Sequence, residues 1–235
     1  MSILPAVIFD LDGTLVDSEP LYYQAGRRTL ERYGITGFTW EEHTEFIGIG
    51  TRETLETLRG RYGIDAPVEE LLAVKNRHYL ELAAATEAFP AMRALVERLS
   101  AAGHPLAVAS GSSRSAIASA LKTTGLEALL PVQVSAEDVG RGKPEPDVFL
   151  AAARLLAVDP AECVVIEDAG PGVEAARRAG MRCIAVPYAA GPSPDGGAFA
   201  SAGLLFPGGQ PEFDARRAYG SRLVVDPRRL VTGPR

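Results

Sequence analysis

A chain of 235 residues, 46% hydrophobic and 23% charged, holds enough apolar material for one large folded domain or for a core domain with a smaller companion. Its formal net charge of −6 provides no basic surface for a polyanion, which argues against a nucleic-acid partner. There is no run of about eighteen uncharged apolar residues and no signal-peptide pattern at the start, so a membrane partner is not expected and a cytoplasmic location is.

The first apolar run, residues 6–10 of "AVIFDLDGTLVDSE", reads as a buried strand that ends on two aspartates, Asp10 and Asp12, one residue apart. Carboxylates that close repel one another and lose solvation when buried, so a cation or a proton is needed to hold them together. From Glu19 to about Thr86 the pattern is helical: "EPLYYQAGRRTLERYG" has a proline at its start and Gly34 at its stop, "TRETLETLRGRYG" repeats the pattern, and "PVEELLAVKNRHYLELAAAT" is the longest segment. After Phe89 strands and helices alternate: helix 91–102, strand "PLAVAS", helix 114–124, strand "VQVS", helix 146–157, strand "CVVIED", helix 171–179 and strand "RCIAVP". Residues 189–220, rich in Gly, Pro and Ala, read as a long loop, and "RLVV" as a last strand closing the sheet. Cys163 and Cys183 lie in or beside strand-like runs and read as small buried hydrophobes.

This alternation predicts an α/β fold with a doubly wound parallel sheet. The helical stretch between the first strand and the rest is most simply an inserted domain, residues 19–86, leaving 1–18 and 87–235 as the core. In such a sheet ligands bind beyond the carboxyl ends of the strands. Those ends deliver Asp10 and Asp12, then Ser110 with Gly111 and Ser112, then Lys143 in "GRGKPEPDVF" after "VQVS", and finally Glu167 and Asp168. Each piece alone has an ordinary reading as a helix cap, a turn or a surface lysine. Their coincidence at one edge of one sheet is what points to a site.

Clustered carboxylates suit a hard divalent cation, and Mg2+ prefers one or two carboxylates together with water and substrate phosphate oxygens. A phosphoryl group beside it would find Ser110, the amides near Gly111 and the Lys143 ammonium for its remaining oxygens. An aspartate can then serve as nucleophile, splitting one hard transfer into two. Asp12, just past it, is placed to protonate a leaving alkoxide and later to deprotonate water.

In order and spacing, "DLDGTLVDSE", the strand-end Ser110, "GKPEPDVF" and "IEDAGPGVEAARRAG" resemble the four motifs of the haloacid dehalogenase superfamily over about residues 4–187. The helical insert after the first motif looks like the cap domain of the branch that contains β-phosphoglucomutase and small sugar-phosphate phosphatases. The resemblance implies a Rossmann-like core in which Asp10 is nucleophile and Mg2+ ligand, and Asp12 is acid/base with its backbone carbonyl on the metal. It also implies that Ser110 and Lys143 hold the phosphoryl group, with Gly111 and Ser112 beside them, and that Asp168 with Glu167 completes the metal site. True dehalogenases of the superfamily lack an aspartate at the position of Asp12. "GIGTRETL" resembles the cap loop that closes over substrate, which makes Arg52 a candidate for a distal anionic group, and Lys75 matches a cap lysine near the sugar. Where β-phosphoglucomutase has a histidine that helps position the acid/base, this chain has Tyr22, with His78 as a residue able to compensate through space.

The leading reading is a Mg2+-dependent phosphatase acting on a small phosphorylated substrate, a sugar or polyol phosphate. The alternative is a β-phosphoglucomutase-type isomerase, from which the missing histidine tilts the balance toward hydrolysis. A phospho-aspartate signalling module uses similar residues but is about half this length and has no use for Asp12. A silent sugar-phosphate binder has no support, since every catalytic position is filled.

Overall fold

The computed structural model describes residues 4–188 and 197–224. Six parallel strands form one sheet in the order β3-β2-β1-β4-β5-β6. They are β1 Ala6–Phe9, β2 Leu106–Ala109, β3 Val132–Val134, β4 Cys163–Glu167, β5 Arg182–Ala185 and β6 Leu204–Leu205. β1 and β2, and β4 up to its terminal Glu167, are apolar because both faces of the sheet are covered. Side chains alternate across the pleat, so Val7, Phe9, Val108, Val164 and Ile166 enter one apolar layer and Ala6, Ile8, Ala107, Val165 and Cys183 the other. The first layer is closed by α5 Pro90–Ala101, α6 Arg114–Thr124 and α9 Ala215–Tyr219, the second by α7 Asp147–Leu156 and α8 Gly170–Arg178. Cys163 and Cys183 are both free and buried, as the sequence suggests.

The chain runs outward from β1 to β3, then returns to the other side of β1 for β4 to β6, so the strand order reverses between β1 and β4. That reversal opens a crevice at the carboxyl ends of these two strands, where a doubly wound sheet binds ligands.

Residues 19–86 contribute helices and no strand among the described residues: α1 Glu19–Glu31, α2 Trp40–Thr44, α3 Thr51–Tyr62 and α4 Val68–Leu82. They bury a cluster of their own, with Leu30, Phe38, Phe46, Leu55, Leu58 and Leu71 at its centre. A second cluster, Leu21, Tyr22, Ala25, Tyr79 and Ala83, meets Ala116 of α6 and so joins this helical block to the sheet layers. The two chain crossings lie side by side, the Asp17 amide donating to the Glu87 carbonyl at 2.9 Å and Val16 bridging to Ala88.

Two expectations for the last third of the chain are corrected. Residues 197–220 are no plain loop: β6 pairs with β5 through Ile184–Leu204 and Ala185–Leu205, and α9 follows. Phe206 and Phe213, set among glycines and prolines that mask their pattern, are buried and pack edge to face with ring centroids 5.0 Å apart. The expected strand "RLVV" is also absent, since Arg222 to Val224 form a turn while Val225 lies outside the described residues, as do 189–196. The outer position of the sheet next to β5 is held by β6 instead.

Candidate active site

Because all six strands point the same way, the polar residues that follow them collect at one edge. Asp10 leaves the end of β1, Ser110 the end of β2, and Glu167 and Asp168 the end of β4. Lys143, in the turn before α7, donates from its Nζ to Asp10 Oδ1 and Glu167 Oε1, both at 2.5 Å, with the Phe149 ring centroid 4.9 Å away. All three groups are buried. The second oxygen of Glu167 accepts the backbone amides of Asp168 and Ala169, each at 2.8 Å. Glu167 thus has both oxygens engaged and acts first as the anchor of Lys143. The first turn of α8 leaves it room only because residue 172 is glycine: a Cβ there would stand 1.7 Å from Glu167 Oε1.

Asp12 turns the other way, toward hydroxyls. Its Oδ1 accepts from Ser18 Oγ at 2.7 Å, and its Oδ2 accepts from Ser110 Oγ at 3.0 Å and Ser112 Oγ at 2.6 Å. The Tyr22 hydroxyl shares a hydrogen bond of 2.7 Å with Ser112 Oγ, so Tyr22 reaches Asp12 through one intermediary. Burial raises the Asp12 carboxyl above its ordinary range, and the serine hydroxyls oppose that shift. A carboxyl so held is fit to carry a proton and to give it up.

Oxygens of Asp10, Glu167 and Asp168 lie within 4.8 Å of one another and could hold a metal ion. Thr14 Oγ1 donates to Asp168 Oδ1 at 3.1 Å, while the buried Oδ2 has no hydrogen-bond partner among the described residues. That orphaned oxygen fits a hard cation, because an uncompensated buried carboxylate oxygen is costly. Gly13, in a left-handed turn at φ 79°, leaves the space, since a Cβ there would lie 2.5 Å from the same oxygen. Burial also pushes the Asp10 carboxyl up to about 8, with Lys143 pulling against it and Glu167 and Asp12 adding to the rise. A bound cation would favour the carboxylate form. Asp10 and Asp168 are therefore the better-suited side-chain ligands, and the Asp12 carboxylate lies outside the cluster.

The helical block closes over this edge and encloses a cavity of about 60 Å³ lined by Asp10, Asp12, Ser110, Gly111, Ser112 and Lys143 from below and by Glu19, Tyr22, His43 and Lys75 from above. It adjoins a wider one of about 420 Å³, which shares Tyr22, Thr51, Lys75 and Gly111 and adds Arg52, Asn76 and Tyr79. Lys75 is buried with its Nζ 5.0 Å from the Tyr22 ring centroid, and burial lowers its pKa to about 8 against the pull of Glu19 and Asp12. Arg52 stays at the exposed rim, donating to Glu69 at 2.9 Å. His78 faces Glu81 at 3.4 Å and lines neither cavity.

Sequence reasoning missed four residues at the site. Ser18 and Thr14 stand inside the first motif and hold Asp12 and Asp168. Glu19 and His43, both buried, pair at 2.8 Å over the cavity. Glu19 had a signal, its place as the last residue of the first motif. His43 had none, because a five-residue helix brings it in from a stretch without local pattern.

A family model described as haloacid dehalogenase-like hydrolase matches residues 7–186. The chain is 35% identical over 185 residues to a phosphorylated carbohydrates phosphatase of Thermotoga maritima, covering 77% of this chain and 84% of the relative. It is 36% identical over 186 residues to a bifunctional riboflavin kinase/FMN phosphatase of Arabidopsis thaliana, covering 77% of this chain but 48% of that larger protein. Among solved structures, CbbY from Rhodobacter sphaeroides in complex with phosphate superposes with a TM-score of 0.77 at 28% identity, over 87% of this chain and 94% of that one. Four strand-end motifs in one crevice, a match across most of the chain and a shared fold carry one conclusion: this chain belongs to the haloacid dehalogenase-like hydrolase family.

Proposed function

We propose that the protein is a Mg2+-dependent phosphatase that hydrolyses the phosphate monoester of a small hydroxylated metabolite, a sugar or polyol phosphate, through an aspartyl-phosphate on Asp10. The observation that carries this reading is the division of labour between two neighbouring carboxylates: Asp10 is held by Lys143 at 2.5 Å, and Asp12 by three serine hydroxyls within 3.0 Å. The first environment suits a nucleophile, the second a proton carrier.

In the first step an Asp10 carboxylate oxygen bonds to phosphorus as the ester P–O bond breaks, and Asp12 gives its proton to the departing alkoxide. In the second, Asp12 takes a proton from water, the resulting hydroxide attacks phosphorus, and inorganic phosphate leaves with Asp10 restored as carboxylate. Ser110, the amides near Gly111 and Lys143 hold the non-bridging oxygens. Asp10 and Asp168, with the Asp12 carbonyl, would hold Mg2+, which when bound would supply charge neutralisation at the phosphoryl group. The smaller cavity suits the phosphoryl group, and the wider one, bordered by Lys75, Asn76, Tyr79 and Arg52, suits the substrate's body. Residues 19–86 serve as the cap that chooses it, with the core formed by 1–18 and 87–235. The Thermotoga maritima relative named for phosphorylated carbohydrates supports this substrate class.

The test is a Mg2+-containing assay over sugar, polyol and nucleotide monophosphates, following free phosphate and, for β-glucose 1-phosphate, glucose 6-phosphate in parallel. Release of phosphate from sugar or polyol phosphates well above the rest is expected, and Asp10→Asn should lower it at least about a hundredfold, since an amide is no nucleophile here. Full activity in that variant sinks the reading. Formation of glucose 6-phosphate with little free phosphate makes the enzyme a mutase instead.

A further inference from the structure

Two side chains from beyond the family-matched residues 7–186 reach back to the loop that carries Asp12. The Gln210 amide donates from Nε2 to the carbonyls of Thr14 at 3.0 Å and Gly13 at 3.2 Å. The Tyr188 hydroxyl donates to Asp17 Oδ1 at 2.9 Å, and the Tyr188 ring lies where a Cβ on Gly13 would meet it at 3.3 Å. Three backbone hydrogen bonds close the loop on itself, Gly13 to Val16, Leu15 to Leu11 and Val16 to Leu11, at 2.9–3.1 Å, and the two side chains add the tie to the sheet. The loop's turn rests on Gly13 at φ 79°, and a glycine has little preference of its own between left- and right-handed conformations.

What the loop holds matters to the chemistry. Thr14 is clamped through its backbone by Gln210, and its hydroxyl orients Asp168, whose other oxygen is the orphan in the metal cluster. Asp17 is held by Tyr188 through its side chain and by Glu87 through its backbone, one residue before Ser18, which bonds Asp12. The support is itself packed into the core. Gln210 follows a tight turn in which the Gly209 amide donates to the Phe206 carbonyl at 2.8 Å, and the turn is pinned by the buried Phe206–Phe213 pair.

We propose that Gln210 and Tyr188 are positioning residues that lock the Asp12–Asp17 loop to the sheet, so that Asp12 and Asp168 keep their reacting geometry while the helical block moves. The proposal rests on the phosphatase reading for its kinetic consequence only. Neither side chain touches the reacting groups, while the Tyr188 backbone amide, which Tyr188→Phe leaves in place, donates to the Asp168 carbonyl at 3.3 Å. Gln210 acts through the two loop carbonyls and Thr14, and Tyr188 through Asp17.

The test compares the full-length protein with Gln210→Leu, Gln210→Glu and Tyr188→Phe, measuring kcat, KM, thermal midpoint and, by calorimetry without substrate, Mg2+ affinity. For Gln210→Leu, kcat and Mg2+ affinity should each fall about tenfold, the usual loss when a partner that orients a ligand is removed, with KM unchanged within about twofold. Gln210→Glu should be worse, because it sets an acceptor against two carbonyls. Tyr188→Phe removes one oxygen and should lower kcat about threefold with the thermal midpoint held. If Gln210 variants fail to fold, Tyr188→Phe decides. Wild-type kcat and Mg2+ affinity in the folded variants overturn the proposal, as does a rise in KM with kcat unchanged. Should the unaltered protein hydrolyse nothing in the panel, the phosphatase reading fails alone, and Mg2+ affinity still judges the clamp.

Discussion

Lys75 shows how one buried side chain couples recognition to stability. Burial lowers its pKa to about 8, so between that value and its ordinary 10.5 the folded protein binds fewer protons than the unfolded chain. Stability attributable to this group therefore rises with pH through that window, and below pH 8 the buried ammonium is a net cost. Lys75→Met should raise the thermal midpoint at pH 7, by the equivalent of about 2–3 kcal/mol, and leave it nearly unchanged above pH 10.5. Substrate capture should move the opposite way. If the ammonium grips an anionic or hydroxylated substrate, kcat/KM falls as pH rises through about 8, and Lys75→Arg, charged throughout, flattens that limb. A limb identical in Lys75→Arg would show that another group sets it.

The helices and strands of the core are legible because their periodicity is local, and their ends are where chemistry and packing meet. α8 is the sharpest case: its first turn passes so close to Glu167 that only glycine fits at 172. Gly172→Ala should displace Glu167, free Lys143 from one of its two carboxylates and destabilise the fold by about 2 kcal/mol, or a thermal midpoint lower by about 4–8 °C. Gly60→Ala, in the last turn of α3 with nothing within 4 Å of the added carbon, should be neutral or stabilising by up to about 0.5–1 kcal/mol. Equal effects at the two positions would refute the steric account. The apolar runs that became β1, β2 and β4 could be read to within one residue at each end, whereas β6, two residues among glycines and prolines, exists only through its pairing with β5.

For the whole molecule, the reacting groups are sealed: Asp10 is 5% exposed, Lys143 8% and Ser110 0%. If the helical block opens to admit substrate, the two adjacent crossings near Ser18 and Glu87 are where a small change in backbone angle can move it. Mg2+ with a phosphate-mimicking anion should favour the closed form, measured as a smaller radius of gyration by small-angle X-ray scattering and slower amide exchange at the rim of the cavity. An unchanged radius and exchange pattern would count against an opening cap.

The residue types at the strand ends, their order and spacing, and the switch from helical to alternating pattern were all present in the sequence, because backbone period and motif chemistry are local properties. From them Asp10, Asp12, Ser110, Lys143, Glu167 and Asp168 could be named, and the family with them. Only the tertiary structure decided how they divide the work. It set Glu167 to hold Lys143 while leaving an oxygen of Asp168 free, routed Tyr22 to Asp12 through Ser112, and kept Arg52 at the rim while burying Lys75. It also brought His43 and Gln210 to the site from segments without a motif. Each of these depends on contacts between residues far apart in the chain, set by packing of whole layers, and such contacts leave no period in the text of either partner.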